Sequence, residues 1–349
     1  MKFKSIILAA ASCLMAAGPL SAETLLYRVE RTVMLPSSNT GWDYIKFQPG
    51  TNRLFMARAD DGLTLYDVDS QSAVATIENS KDANGPLLLP DYNRGYIAMT
   101  DGSLLSIDLQ TLKPIARVKL DANGGLNSAV YDPATKRVHA ITSTRAKEAT
   151  WYTLDAKTGQ QIGKTVFPFR KMDDPAHDGK GRLFAPARYD QIILTLDSKT
   201  LAEKARWTVG CNVSKVRYQA ATNRILAACG GDKAAFLALD ADSGRELARI
   251  PIGKGIDGFS IDEQRHRIVT SNGSDGTLTV IQQNSADDYQ LLGTVATRVG
   301  ARMSAMDERS GKLYLVNADF TQPPAGADGK MPDEVYHPDS FVVMTYSPD

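Results

Sequence analysis

Six polar residues occupy one recurring place in this chain: Asp43, Asn127, Asp173, Ser214, Asp257 and Arg302. Each lies ahead of a basic residue that opens a short apolar run. The offset is ten residues for Asp43, Asn127, Ser214, Asp257 and Arg302, and nine for Asp173. A shorter turn puts Gly85 at this place in the second unit. If the fold brings these positions into a ring, Asp43, Asp173 and Asp257 could hold a hard cation such as Ca²⁺. Together with Arg302 they could instead hold a polar ligand. With a cation in place, a carboxylate could act as base while the metal polarises an ester or lactone carbonyl. A solvated rim neutralised by Arg302 would use the same residues without chemistry. Trp42, next to Asp43, is either a stacking surface or ordinary packing.

Asp173, Asp174 and His177 form a second cluster of ligand types. Strand alternation would turn Asp174 away from Asp173, and His177 suits packing between strands. Other motifs fail on context. Gly253-Lys254-Gly255-Ile256-Asp257-Gly258 matches a dinucleotide fingerprint but runs into the strand-like Phe259-Ser260-Ile261 rather than a helix, so no phosphate cradle forms. The segment from Thr158 to Thr165 resembles a P-loop with its first glycine one residue out of place. There is no G-x-S-x-G elbow, no C-x-x-C-H haem attachment and no H-E-x-x-H zinc motif. The four histidines are scattered, and axial ligands for a redox centre are missing.

The elements that must position these residues come from a repeat. Arg53, Arg94, Arg137, Arg182, Arg224, Arg267 and Lys312 each open an apolar run, at successive spacings of 41, 43, 45, 42, 43 and 45. Every unit contains four short segments rich in β-branched and aliphatic residues, separated by Asp/Asn/Gly turns such as Asp240-Ala241-Asp242-Ser243-Gly244. No sustained helical period appears. Four strands per repeat of this length describe a propeller blade, and seven repeats predict an all-β, seven-bladed β-propeller of antiparallel four-stranded sheets. The last unit ends after its third segment, Phe341–Tyr346, so Tyr27–Leu35 is expected to supply its fourth strand and close the ring. The first strand of each blade lines the central channel, which places the recurring polar position at a funnel mouth. The long loop 319–339, with Pro323, Pro324, Pro332 and Pro338, joins the second and third strands of blade seven on that same face. It is expected either to pack over the mouth beside Trp42 or to clasp the ring closure.

At this point the repeats resemble the YVTN, or YncE-like, propeller family of exported bacterial proteins. The likeness rests on Tyr314-Leu315-Val316-Asn317, Ile268–Asn272, Gly41-Trp42-Asp43-Tyr44, Asp178–Arg182, Asn272–Val280 and Gly300-Ala301-Arg302. It spans the mature chain and implies a periplasmic propeller, with no established reaction.

The N-terminus fits export. Lys2 and Lys4 precede an apolar stretch from Ser5 to Ala17, Gly18-Pro19 breaks it, and Leu20-Ser21-Ala22 offers a cleavage site before Glu23. The stretch is shorter than a membrane span. Residues 1–22 therefore read as a signal peptide and 23–349 as one propeller domain. A lipoprotein anchor at Cys13 lacks the leucine expected upstream. Of 349 residues, 40 are Lys or Arg and 40 Asp or Glu, which gives no basic excess for nucleic acid or anionic membranes. In an oxidising compartment the two remaining cysteines, Cys211 and Cys229, are expected to pair across a hairpin whose turn spans Gln219–Asn223; two buried free thiols are the alternative. Two functional readings follow. One is a binding module that presents its funnel face to a protein, peptide or small polar ligand. The other is a metal-dependent hydrolase or lactonase, although the Glu, Asn and Asp ligand set of lactonase-like propellers cannot be assembled here.

Overall fold

In the computed structural model, residues 26–39, 41–326 and 329–349 are described. The proposed leader, with Cys13, lies outside them. Seven four-stranded antiparallel sheets follow one another around an axis. Blade one is Ile45–Phe47, Arg53–Ala57, Leu63–Asp67 and Ser72–Thr76. The inner strands of blades two to seven are Ala83–Leu89, Leu126–Asp132, Ala176–His177, Asn212–Gln219, Ile256–Asp262 and Ser304–Asp307. Blade seven is completed by Lys312–Asn317, Phe341–Pro348 and the N-terminal strand Tyr27–Leu35, paired from Tyr27↔Pro348 to Leu35↔Phe341. The chain is thus a closed seven-bladed propeller.

The burial gradient follows from stacking blade on blade. Second and third strands are covered on both faces, so they read as continuous apolar runs rather than alternating ones. Leu54-Phe55-Met56-Ala57 and Leu104-Leu105 are buried throughout, and Phe55, Leu63 and Leu65 of blade one pack against Ile97, Leu105 and Ile107 of blade two. Outer strands such as Ser72–Thr76 are largely exposed.

The basic residues that marked the repeat open the second strand of every blade, and the arginines among them stitch neighbouring blades together. Arg53 Nη1 donates to the Leu109 carbonyl (2.9 Å), Arg94 Nη1 to Thr158 (3.2 Å), Arg137 Nη1 to Lys199 (2.7 Å) and Arg182 Nη1 to Ala241 (2.9 Å). In each case the acceptor lies in the turn between third and fourth strands of the next blade. Arg267 reaches the Leu26 carbonyl (3.4 Å), ahead of the closing strand.

Cys211 and Cys229 form a disulfide in blade five, Cα atoms 5.7 Å apart. The hairpin pairs Asn212 with Gly230 and Val213 with Cys229, so the cysteines sit diagonally rather than face to face. The turn between Gln219 and Arg224 sets this register, and the bulge between Val213 and Lys215 shifts it by one residue. Among the described residues no helix is long and apolar enough to cross a membrane.

Candidate functional site: the channel mouth

The recurring polar position has a structural cause. In blades two, three, five and six the register between first and second strands shifts, between Ala83 and Gly85, Leu126 and Ser128, Val213 and Lys215, and Ile256 and Gly258. The extra residue is Asn84, Asn127, Ser214 or Asp257. A bulge re-aims a side chain at the end of a strand, and in blades two, three and six it does so at the channel mouth. Asn84, not Gly85, therefore holds the position in blade two. Gly85 fills another need, because a Cβ there would lie 2.5 Å from the Asn127 carbonyl oxygen.

The structure brings Asn127, Asp173, Asp257, Arg302 and Asp43 together, with cations that the repeat arithmetic did not reveal. Asp173 accepts from Arg188 Nη1 (3.0 Å) and Asn127 Nδ2 (3.4 Å), and Lys171 Nζ lies 3.2 Å away. Asp257 lies between Lys215 Nζ and Arg302 Nε, both at 3.7 Å. Arg302 Nη2 also donates to the Trp42 carbonyl (2.8 Å), and its guanidinium lies 5.4 Å from the Trp42 ring. Asn127 Nδ2 donates to the Tyr44 hydroxyl (3.1 Å), and Lys215 Nζ stands 3.8 Å from the Tyr44 ring centroid. Tyr44 and Lys215, both buried, thus form a floor across the channel.

Ser214 does not join this group. Its side chain is fully buried and donates to the Ala228 carbonyl (3.3 Å). Lys215, one residue on, presents the polar group of blade five instead. Trp42 is buried, and its indole N–H has no partner among the described residues. Loop 319–339 forms a two-stranded ribbon, Phe320–Thr321 with Val335–Tyr336, that sets the Tyr336 ring 5.1 Å from Trp42.

Asp43 is the carboxylate left over. Its Oδ1 is buried and makes no hydrogen bond. Burial and the nearby Asp257 push its carboxyl up to about 7, against the pull of Arg302, Lys215 and Lys171. Burial also opposes charge on Asp257, but Lys215, Arg302 and Arg188 outweigh it and hold that carboxyl below the ordinary range.

This electrostatic pattern weighs against the cation reading. Asp43, Asp173 and Asp257 face Lys171, Arg188, Lys215 and Arg302, four cations against three carboxylates. Two of the carboxylates are already answered by side-chain cations, so a divalent ion would meet net positive surroundings. Among the described residues no three His, Cys, Asp or Glu side chains are grouped for a metal. Asp173 also parts company with Asp174 and His177: Asp174 pairs with Arg217 (3.1 Å) below the floor and, with His177, lines a chamber on the opposite side.

No family model matches the sequence, and no curated protein does. Solved structures match its fold. A chain in the crystal structure of the mitotic checkpoint complex shares 14% identity, with a TM-score of 0.70, covering 99% of this chain and 98% of its own. The β-propeller domain of Cps50 (Swd1) from Myceliophteria thermophila shares 10% identity, with a TM-score of 0.71, covering 93% of this chain and 100% of its own. At such identities the likeness shows the propeller fold alone.

Proposed function

We propose that this protein is an exported, periplasmic propeller of the YVTN/YncE-like kind whose channel mouth binds a charged polar ligand or a segment of a partner protein. The observation that carries the reading is the convergence of Asp43, Asp173, Asp257, Lys171, Arg188, Lys215 and Arg302 from several blades above the Tyr44 floor, beside the Trp42–Tyr336 pair. Strand packing alone does not require so many charges, buried or half-buried, at one place, and charges withdrawn from water are costly unless used or paired. Export is supported by the grammar of residues 1–22, and the disulfide suits an oxidising compartment. Residues 23–349 then form the mature single domain. The competing hydrolase reading needs a dication held by Asp43, Asp173 and Asp257, and their cationic neighbours make a poor cradle for one.

The test is capture from periplasmic extract by the tagged mature protein and by its Asp257→Asn/Arg302→Gln variant, with Arg206→Gln on the exposed outer strand of blade four as control. Partners retained by the wild type and the control but lost by the channel variant support the reading. Equal retention by all three counts against it. A Ca²⁺, Mg²⁺, Mn²⁺ and Zn²⁺ titration of thermal stability decides the rival: a ligand at one hundred times Kd stabilises by about 2.7 kcal/mol, and no such shift is expected.

A further inference from the structure

Below the Tyr44 floor the channel opens to the other face as two chambers, lined between them by the inner strands of all seven blades. The smaller, about 270 Å³, is walled by Phe47, Phe259, Ile261 and Met306, with Glu263 and Glu308 also on its wall. The larger, about 370 Å³, is walled by Leu87, Leu89, Val130, Tyr131, Ala176 and Tyr218. Lys46 of blade one and Arg217 of blade five line both, and so stand between them.

The charges at this septum do not balance. Arg217 Nη1 pairs with Asp174 Oδ2 (3.1 Å) and donates to the Val216 carbonyl (2.9 Å). Lys46, Lys215 and Arg217 all act on that one carboxylate and hold Asp174 far below the ordinary range despite its burial. Lys215 is turned up towards Asp257. Lys46 has no hydrogen bond or ion pair among the described residues, and its ammonium lies 5.8 Å from the Tyr44 ring. Burial pulls the Lys46 amine down to about 8, with Asp174 partly restoring it. A half-buried cation whose nearest carboxylate, Asp174, is already taken by Arg217 is an arrangement that a bound anion relieves. The larger chamber also carries Asp174, which Arg217 already pairs, and His177, which burial keeps neutral near pH 7. The smaller chamber sets two glutamates, Glu263 and Glu308, against the same two cations.

We propose that the 370 Å³ chamber is a second binding site, for a small amphipathic carboxylate. Its head would sit between Lys46 and Arg217 and its apolar body among Leu87, Leu89, Val130, Tyr131 and Tyr218. The volume falls in the range of small-molecule pockets, about 300–1,000 Å³, and the plan of apolar walls with a few convergent polar groups is that of such sites. This site is separate from the channel mouth by the Tyr44–Lys215 floor, so it stands or falls independently of the binding function proposed there.

Calorimetric titration of the full mature protein with octanoate, acetate and octan-1-ol tests it. Saturable octanoate binding is expected, with acetate lacking the tail and octan-1-ol the charge, each at least about tenfold weaker. Lys46→Met should weaken octanoate by about tenfold or more, Lys46→Arg should retain it, and Asp257→Asn at the other mouth should leave it unchanged. No octanoate binding, equal binding by Lys46→Met, or loss in Asp257→Asn would overturn the proposal. Because Lys46→Met replaces a partly buried residue, a second readout uses the wild type. With lysines ¹³C-dimethylated, the Lys46 resonance should move on octanoate addition and titrate at higher pH. A Lys46 signal unmoved at saturation would overturn the assignment.

Discussion

Asp43 shows most plainly how a single side chain can work against the fold that holds it. Its carboxyl is raised to about 7 by burial and by Asp257. A group whose folded pKa is raised stabilises fully below its unfolded value, near 3.9 for Asp, and loses that stabilisation as pH rises through about 7. Asp43→Asn should therefore melt close to the wild type at pH 4 and several degrees above it at pH 8. Thermal unfolding at the two values checks this, and equal melting at pH 8 would mean that the charge of Asp43 is compensated in the native mouth. The site was partly legible in the sequence. An offset counted back from the repeat anchors finds Asp43, Asn127, Asp257 and Arg302, because blade geometry repeats. Lys171 and Arg188 escape that count because they come from the entry to blade four and from a 3-10 turn after its second strand. Lys215 escapes because the bulge in blade five presents the neighbour of the expected residue, and nothing in the local composition announces that shift.

At the scale of strands and turns, the arginine that defines the repeat is a fastener between blades. The strands were legible because apolar runs bounded by Asp/Gly turns recur with a fixed period, but why a basic residue opens each second strand depends on contacts with the next blade. Arg182 is the strongest instance. Its Nε donates to Asp178 Oδ2 (2.7 Å), whose side chain is almost wholly buried, and its Nη1 bridges to the Ala241 carbonyl (2.9 Å) and Asp242 Oδ1 (2.8 Å) of blade five. Arg182→Met keeps the stem but leaves Asp178 with its backbone partners alone. Hydrogen bonds to charged groups are worth about 1.5–3 kcal/mol, so a loss of about 2 kcal/mol is expected in denaturant unfolding. Arg137→Met, whose fastener is exposed, should lose about 1 kcal/mol or less. Equal small losses at both would show that blade stacking, not the arginine stitch, sets the spacing of the ring.

For the whole molecule, the seven sheets matter less singly than their closure. Each sheet has its inner edge on the channel and its outer edge in solvent, and each face is buried against a neighbour, so a missing strand in one blade exposes its outer edge and part of two faces. The sequence showed where closure occurs because its last repeat lacks a fourth segment and its first strand lacks a blade. The structure adds the register, from Tyr27↔Pro348 to Leu35↔Phe341, with Tyr27 and Leu35 buried at the two ends. Closure also links charges along the strand: Lys312 pairs with Glu30, which accepts from Ser347 as well, while Arg267 of blade six reaches the Leu26 carbonyl. A chain beginning at residue 36 should therefore leave Phe341–Pro348 as an unpaired edge and elute as oligomers, with a broad, low-temperature melt. Adding a peptide of residues 26–35 should restore a monomer with a single sharp transition, since the strand supplies its ladder without needing a covalent link. Size exclusion and thermal unfolding measure both. A truncated chain that stays monomeric and melts like the full chain would show that the ring holds without its clasp, and that the blade-to-blade faces alone carry the closure.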